Sequence, residues 1–196
     1  FKILFCDNFF ISNNIIKYKN LDIYIGRIIK SLSFLKIKIY VLALYEKSNL
    51  TKQNFEKYVY IINNISKRLQ KARIKLGIET NLSIGCLLNF FKNIESRNSF
   101  LVYDTGNRLK KNHMQHLEIL KLKKKIIHIH LKDKNFLGKN VVMGSGKVNF
   151  TSIFKSLNKI DYKGNFVFET NRGEDSVITM RDNLKFIRSA TKKVGY

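Results

Sequence analysis

Acids and histidines are scarce in this chain of 196 residues: seven Glu, seven Asp and four His stand against 37 Lys and Arg. Four of them occupy equivalent places. Glu79 follows the apolar run 74–78, Asp104 follows 100–103, His130 closes 126–129 and Glu169 follows 166–168. Two Glu, one Asp and one His make a hard, mostly oxygen donor set, suited to one divalent metal ion, Mn²⁺ or Mg²⁺, with Co²⁺ or Zn²⁺ also accommodated. Two carboxylates around a cation also suit proton exchange with a substrate near neutral pH. A single acid at a strand end is more often the cap of the next helix. Four donors in succession, one of them a histidine, point instead to a shared site. His128 lies two positions before His130 and so points the same way. It is expected to be a packed, hydrogen-bonded core histidine, and His113 and His116 to be solvent-exposed.

The elements that would carry these donors alternate along the chain. Apolar runs at 2–6, 37–44, 74–78, 100–103, 126–131 and 165–168 read as strands, and helical spacing marks 21–35, 51–73, 84–94, 116–125, 150–159 and 177–192. Thr51, with Asn54 and Glu56 behind it, is the expected start of the second of these helices. Residues 132–147 read as a glycine-bearing loop. The strands are continuous apolar runs, as expected of parallel strands covered on both faces. Six βα units with no linker between them predict one α/β domain over 1–196, either a doubly wound sheet or a (β/α)₈ barrel. In such folds the C-terminal strand ends line the active site, which is where all four donors fall. No glycine-rich fingerprint follows the first strand and no G-x-x-x-x-G-K occurs, which weakens a nucleotide-binding sheet. A barrel needs eight units, so two would be missing.

The net charge of +23 suggests a polyanionic partner at first sight. Composition supplies a plainer cause. Lys, Ile and Asn, whose codons are A/T-rich, account for 75 residues, whereas Gly, Ala, Arg and Pro total 21. Lys outnumbers Arg 29 to 8, although phosphate-reading surfaces favour the bidentate Arg fork. The charge therefore reads as codon bias spread over a solvated surface, and neither nucleic acid nor membrane is an expected partner. Two cysteines exclude a disulfide scaffold and suit a reducing, cytoplasmic compartment. No apolar run approaches the roughly 20 residues of a membrane span.

Three segments carry a resemblance. Tyr103-Asp104-Thr105-Gly106-Asn107, His128-Ile129-His130-Leu131-Lys132-Asp133 and Phe168-Glu169-Thr170 resemble the sugar phosphate isomerase/epimerase family. These are xylose-isomerase-like TIM barrels that include pentulose-phosphate and ketose 3-epimerases. The likeness runs from residue 2 to the C-terminus and is most specific over 100–170. It implies a single divalent metal held by Glu79, Asp104, His130 and Glu169 on strands five to eight. Counted back from Glu169, the six predicted strands become strands three to eight, so the barrel is expected to be N-terminally incomplete. The family's loop commonly reads Gly-Glu-Gly followed by Val-Asp-Phe. Here it is Gly144-Ser145-Gly146 and Val148-Asn149-Phe150, and loss of those two acids is expected to alter how the loop is anchored.

The resemblance also implies a mechanism. A ketose or ketose phosphate loses the proton between its metal-held oxygens to one glutamate, passes through an enediolate, and regains a proton from the other. Glu79 and Glu169 are the implied acid/base pair, with Asn107, Lys132 and Lys134 as implied contacts to substrate hydroxyl or phosphate. The partner is then a small sugar or sugar phosphate, and a homo-oligomer stays open. An endonuclease IV-type repair nuclease shares the barrel but implies three metals and more histidines, and Asn107 stands where its pattern would place one. A degenerate, non-catalytic barrel fragment is the third alternative.

Overall fold

A computed structural model of the chain describes residues 4–109 and 114–196. His113 and the first two residues of the run 2–6 lie outside them. The chain comprises two compact units, Phe1–Val102 and Tyr103–Tyr196.

In the first unit, β1 (Phe5–Asp7), β2 (Ile39–Leu44), β3 (Lys75–Thr80) and the start of β4 (Ser99–Asp104) lie side by side in chain order. All are parallel, with Phe5 opposite Tyr40, Ile39 opposite Lys75 and Leu76 opposite Ser99. Five of the six residues of β2 are buried, the pattern of a strand covered on both faces. Helices α1 (Phe9–Ser12), α2 (Leu21–Phe34), α3 (Phe55–Lys71) and α4 (Ile84–Asn93) connect them. On α3, Tyr58, Ile62, Ile65 and Leu69 recur at helical spacing and are all buried, so one apolar stripe docks the helix. Truncating Ile62 to Ala is expected to cost roughly 2–5 kcal/mol.

Two expectations need correction here. The helix predicted from Thr51 starts at Phe55. Asn54 turns its side chain back, accepting from the Thr51 N–H at 2.8 Å and donating to the Asn49 carbonyl at 2.8 Å, which closes a turn in place of a helix start. The short α1 escaped prediction because it is held from outside itself: the Asp7 carboxylate accepts the Phe9 N–H at 2.9 Å.

The second unit contains the end of β4, α5 (Gln115–Leu122), β5 (Ile126–Leu131), β6 (Asp133–Lys134), β7 (Asn140–Val141), α6 (Phe150–Lys159), β8 (Asn165–Phe168) and α7 (Ser176–Lys192). Strands β5 and β8 pair in parallel, with His128 opposite Asn165 and Leu131 opposite Phe168. The expected loop 132–147 contains a small antiparallel hairpin, β6 on β7. Asn149 accepts the Ser152 N–H at 3.0 Å and so caps α6, whose Phe150, Ile153, Phe154 and Leu157 form a buried stripe. Six strand–helix repeats thus follow one another, as the apolar runs predict. Among the described residues, no helix is long and apolar enough to cross a membrane, Arg108 is the only buried arginine and Lys132 the only buried lysine.

Candidate metal centre

The last residue of β4 is Asp104, which is fully buried. Its Oδ1 accepts the Asn107 N–H at 2.6 Å, and its Oδ2 lies 3.0 Å from Lys132 Nζ. The turn behind it is fixed by Thr105. That residue's N–H donates to the His130 carbonyl at 3.0 Å, while its hydroxyl donates to the Lys132 carbonyl at 2.7 Å and accepts the Lys132 N–H at 2.8 Å. A Cβ at Gly106 would fall 2.7 Å from Lys132 Cγ, so only glycine leaves room for the lysine stem. Beneath the turn, Arg108 donates from Nε to Glu118 at 2.9 Å and from Nη2 at 2.6 Å, and Tyr103 adds its hydroxyl to Glu118 at 3.0 Å. Breaking a buried pair of this kind from one side typically costs about 3–5 kcal/mol.

Strand β5 supplies two histidines. His130 is buried, and its Nδ1 lies 3.1 Å from Glu169 Oε2. His128 is fully buried as predicted, but among the described residues both its ring nitrogens lack a hydrogen-bond partner. The expected hydrogen bonds are not formed because strand pairing uses the backbone beside it and its ring meets His130 edge-on, centroids 5.3 Å apart. Burial, and next the charge of His130, push the His128 imidazole down to about 4.

Glu169 follows β8, its N–H donating to the Leu131 carbonyl at 3.0 Å, and its side chain is half-exposed. Its Oε1 lies 3.2 Å from Lys132 Nζ. Burial opposes ionisation here, but the contacts with His130 and Lys132 outweigh it and hold the carboxyl at about 2. Burial likewise opposes the charged form of Lys132, and Asp104, followed by Glu169, overcomes it and raises the ammonium above its ordinary value. Asp104, His130 and Glu169 thus meet through these contacts within the second unit. The ammonium between the two carboxylates is a stand-in cation: the donor set suits a positive ion, and a divalent metal fits it by charge and ligand type.

The remaining predicted residues are placed as follows. Lys134 Nζ donates to Asn107 Oδ1 at 2.9 Å, so these two implied substrate contacts hold each other. His116, expected on the surface, is half-buried on α5. Glu79 is the fifth residue of β3 in the first unit, is buried, and accepts the Tyr45 hydroxyl at 3.0 Å. Sequence reasoning missed Tyr45, although it immediately follows β2 and the strand-end rule would have found it. It also missed Asp133. This fully buried carboxylate accepts the N–H groups of Gly144 and Gly146, each at 2.9 Å, and of Val148 at 3.1 Å. The loop that lacks two acids is therefore anchored from β6.

The comparisons with known proteins bear on the fold. The structure of L-ribulose 3-epimerase superposes with a TM-score of 0.77 at 16% identity, covering 94% of this chain and 73% of the epimerase. The probable 3-DHS dehydratase AsbF, involved in petrobactin synthesis in Bacillus anthracis, gives 0.77 at 13% identity over 94% and 75% of the two chains. A xylose isomerase-like TIM barrel protein from Mycobacterium smegmatis in complex with magnesium gives 0.71 at 12% identity over 92% and 71%. At such identities the likeness is one of fold. No curated protein matches the sequence. The family model for the xylose isomerase-like TIM barrel matches residues 24–190. The chain therefore belongs to the xylose isomerase-like TIM barrel family.

Proposed function

We propose that this chain serves a metal-dependent sugar or sugar-phosphate isomerase or epimerase acting on a ketose. The observation that carries the reading is the meeting of Asp104 and Glu169 at one cation position, with His130 against Glu169. Glu79 completes the set in this proposal, since each of the four offers one donor atom suited to an ion. The likeness to an L-ribulose 3-epimerase supports the substrate class and the likeness to a magnesium complex supports Mg²⁺, while the donor set also suits Mn²⁺. A chain with only two cysteines suits the cytoplasmic setting proposed for it.

A bound divalent ion would polarise neighbouring substrate oxygens and acidify the C–H between them. Glu169 suits the role of base: it is half-exposed and its direction is fixed by His130. Glu79, buried and oriented by the Tyr45 hydroxyl, suits the return of a proton. Asn107, held on Lys134, and Lys132 are the proposed contacts to substrate hydroxyl or phosphate. Return of the proton to the same carbon gives epimerisation, and to its neighbour, isomerisation. The likeness to a probable dehydratase supports a second reading, loss of water from the substrate.

Deuterium wash-in tests the proposal. Metal-loaded protein in heavy water is expected to place deuterium beside the carbonyl of a ketose or ketose phosphate. Glu169→Gln is expected to slow this by about 10²–10⁴-fold, with metal occupancy measured in the same sample. Absence of exchange with any pentulose or hexulose would sink the proposal. Release of water would favour the dehydratase reading, and three ions per chain the nuclease.

A further inference from the structure

Lys132 is an unusual lysine. Its side chain is only 6% exposed, and its ammonium lies 3.0 Å from Asp104 Oδ2 and 3.2 Å from Glu169 Oε1. Lysine is almost never buried unless paired. The pairing here is with two carboxylates from different strand ends, and the chain is shaped around it. Thr105 grips the Lys132 backbone on both sides, and Gly106 leaves its stem a channel that a Cβ would close.

We propose that Lys132 is the resident cation of the metal centre: a positioning residue that holds the Asp104 and Glu169 carboxylates in place and yields them to an incoming divalent ion. The inference rests on the metal reading above. Two like charges cannot share the same carboxylate oxygens in a buried site without strong repulsion. In this proposal the ion takes the oxygens that the ammonium holds, Asp104 Oδ2 and Glu169 Oε1, so the two exclude one another. The lysine can yield because its backbone is held by Thr105 independently of its head, and four rotatable methylenes give the head reach. Metal loading then frees an ammonium beside the half-exposed Glu169, where a substrate oxygen or phosphate would arrive. Metal uptake would precede substrate on this account.

The test is residue-level amine labelling of the full chain, read by mass spectrometry, with and without Mn²⁺. In metal-free protein Lys132 is expected to label far more slowly than exposed lysines such as Lys163. Saturating Mn²⁺ is expected to raise its rate severalfold while leaving Lys163 unchanged. In parallel, Lys132→Met, which keeps the stem and removes the charge, is expected to bind Mn²⁺ more tightly by calorimetry and to melt lower than wild type only without metal. Unchanged or slower labelling of Lys132 with Mn²⁺ bound would overturn the inference and leave the metal reading intact. So would a folded Lys132→Met with unchanged Mn²⁺ affinity. If that variant does not fold, labelling of the wild type decides alone. Failure of wild type and variant alike to take up Mn²⁺ would overturn the metal reading and this inference with it.

Discussion

Two strand-end aspartates, one in each unit, put the same group to different uses. Asp7 ends β1 and is 2% exposed. Its Oδ2 accepts the hydroxyls of Tyr40 at 2.7 Å and Tyr24 at 3.0 Å, and its Oδ1 the Phe9 N–H at 2.9 Å. Every one of these donors is neutral. Burial, and then the Asp7 charge, raise the tyrosine hydroxyls well above their ordinary range, so they remain donors. Asp104 ends β4, is equally enclosed, and faces the Lys132 ammonium. A strand-end position therefore does not by itself make a site. An acid ringed by fixed neutral donors is a finished anchor. An acid balanced by the charged tip of a long side chain can exchange that charge for another.

That contrast can be broken in several ways. The largest expected effect belongs to a third acid, Asp133, whose partners are all backbone N–H groups. Asp133→Ala strands all of them, but only the Val148 bond is fully buried. At about 1–3 kcal/mol for that group and roughly 0.5–1 kcal/mol for each part-buried one, a loss of roughly 3–5 kcal/mol is expected in urea unfolding. A change under about 1 kcal/mol would show that the loop is held otherwise.

Next comes Asp104→Asn, expected to weaken divalent-metal binding by roughly 100-fold or more, the upper end of what even indirect metal-site partners cost. Calorimetric titration with Mn²⁺ checks it, and an unchanged affinity would remove Asp104 from the centre. Asp7→Ala is the control from the other unit. It should lower stability by about 2 kcal/mol, because the buried Tyr40 hydroxyl loses its acceptor. Metal affinity should stay unchanged, and any loss of it would blur the distinction between anchor and ligand.

The smallest effect is a pH slope. His128 has a folded value of about 4, below the roughly 6.5 of an unfolded histidine, so the unfolded chain takes up the proton first. Its contribution is complete above about pH 6.5 and is lost as pH falls to about 4, at up to roughly 1.4 kcal/mol per pH unit. Urea unfolding across that window should show the slope in wild type and a flatter one in His128→Leu. Equal slopes would mean that His128 takes up its proton alike in the folded and the unfolded chain.

Local pattern fixed much of this chain before any contact was known. Apolar runs of four to eight residues place β2, β3, β4, β5 and β8, and the donors Glu79, Asp104, His130 and Glu169 stand at their ends, because burial on two faces demands continuous apolar sequence and the first polar residue marks where cover stops. Helix periodicity placed α2, α3, α4, α6 and α7 for the same reason of one-sided burial. What only the tertiary structure decided is which partner each polar group takes. Asn54 closed a turn where a helix was expected to start at Thr51, Asp133 gathered a loop up to 15 residues away, the His128 ring nitrogens found no hydrogen-bond partner among the described residues, and Lys132 came to rest between two acids from other strand ends. Each of those outcomes depends on groups distant in sequence meeting in a dry interior, where a polar atom's energy is set by its nearest partner rather than by its own identity.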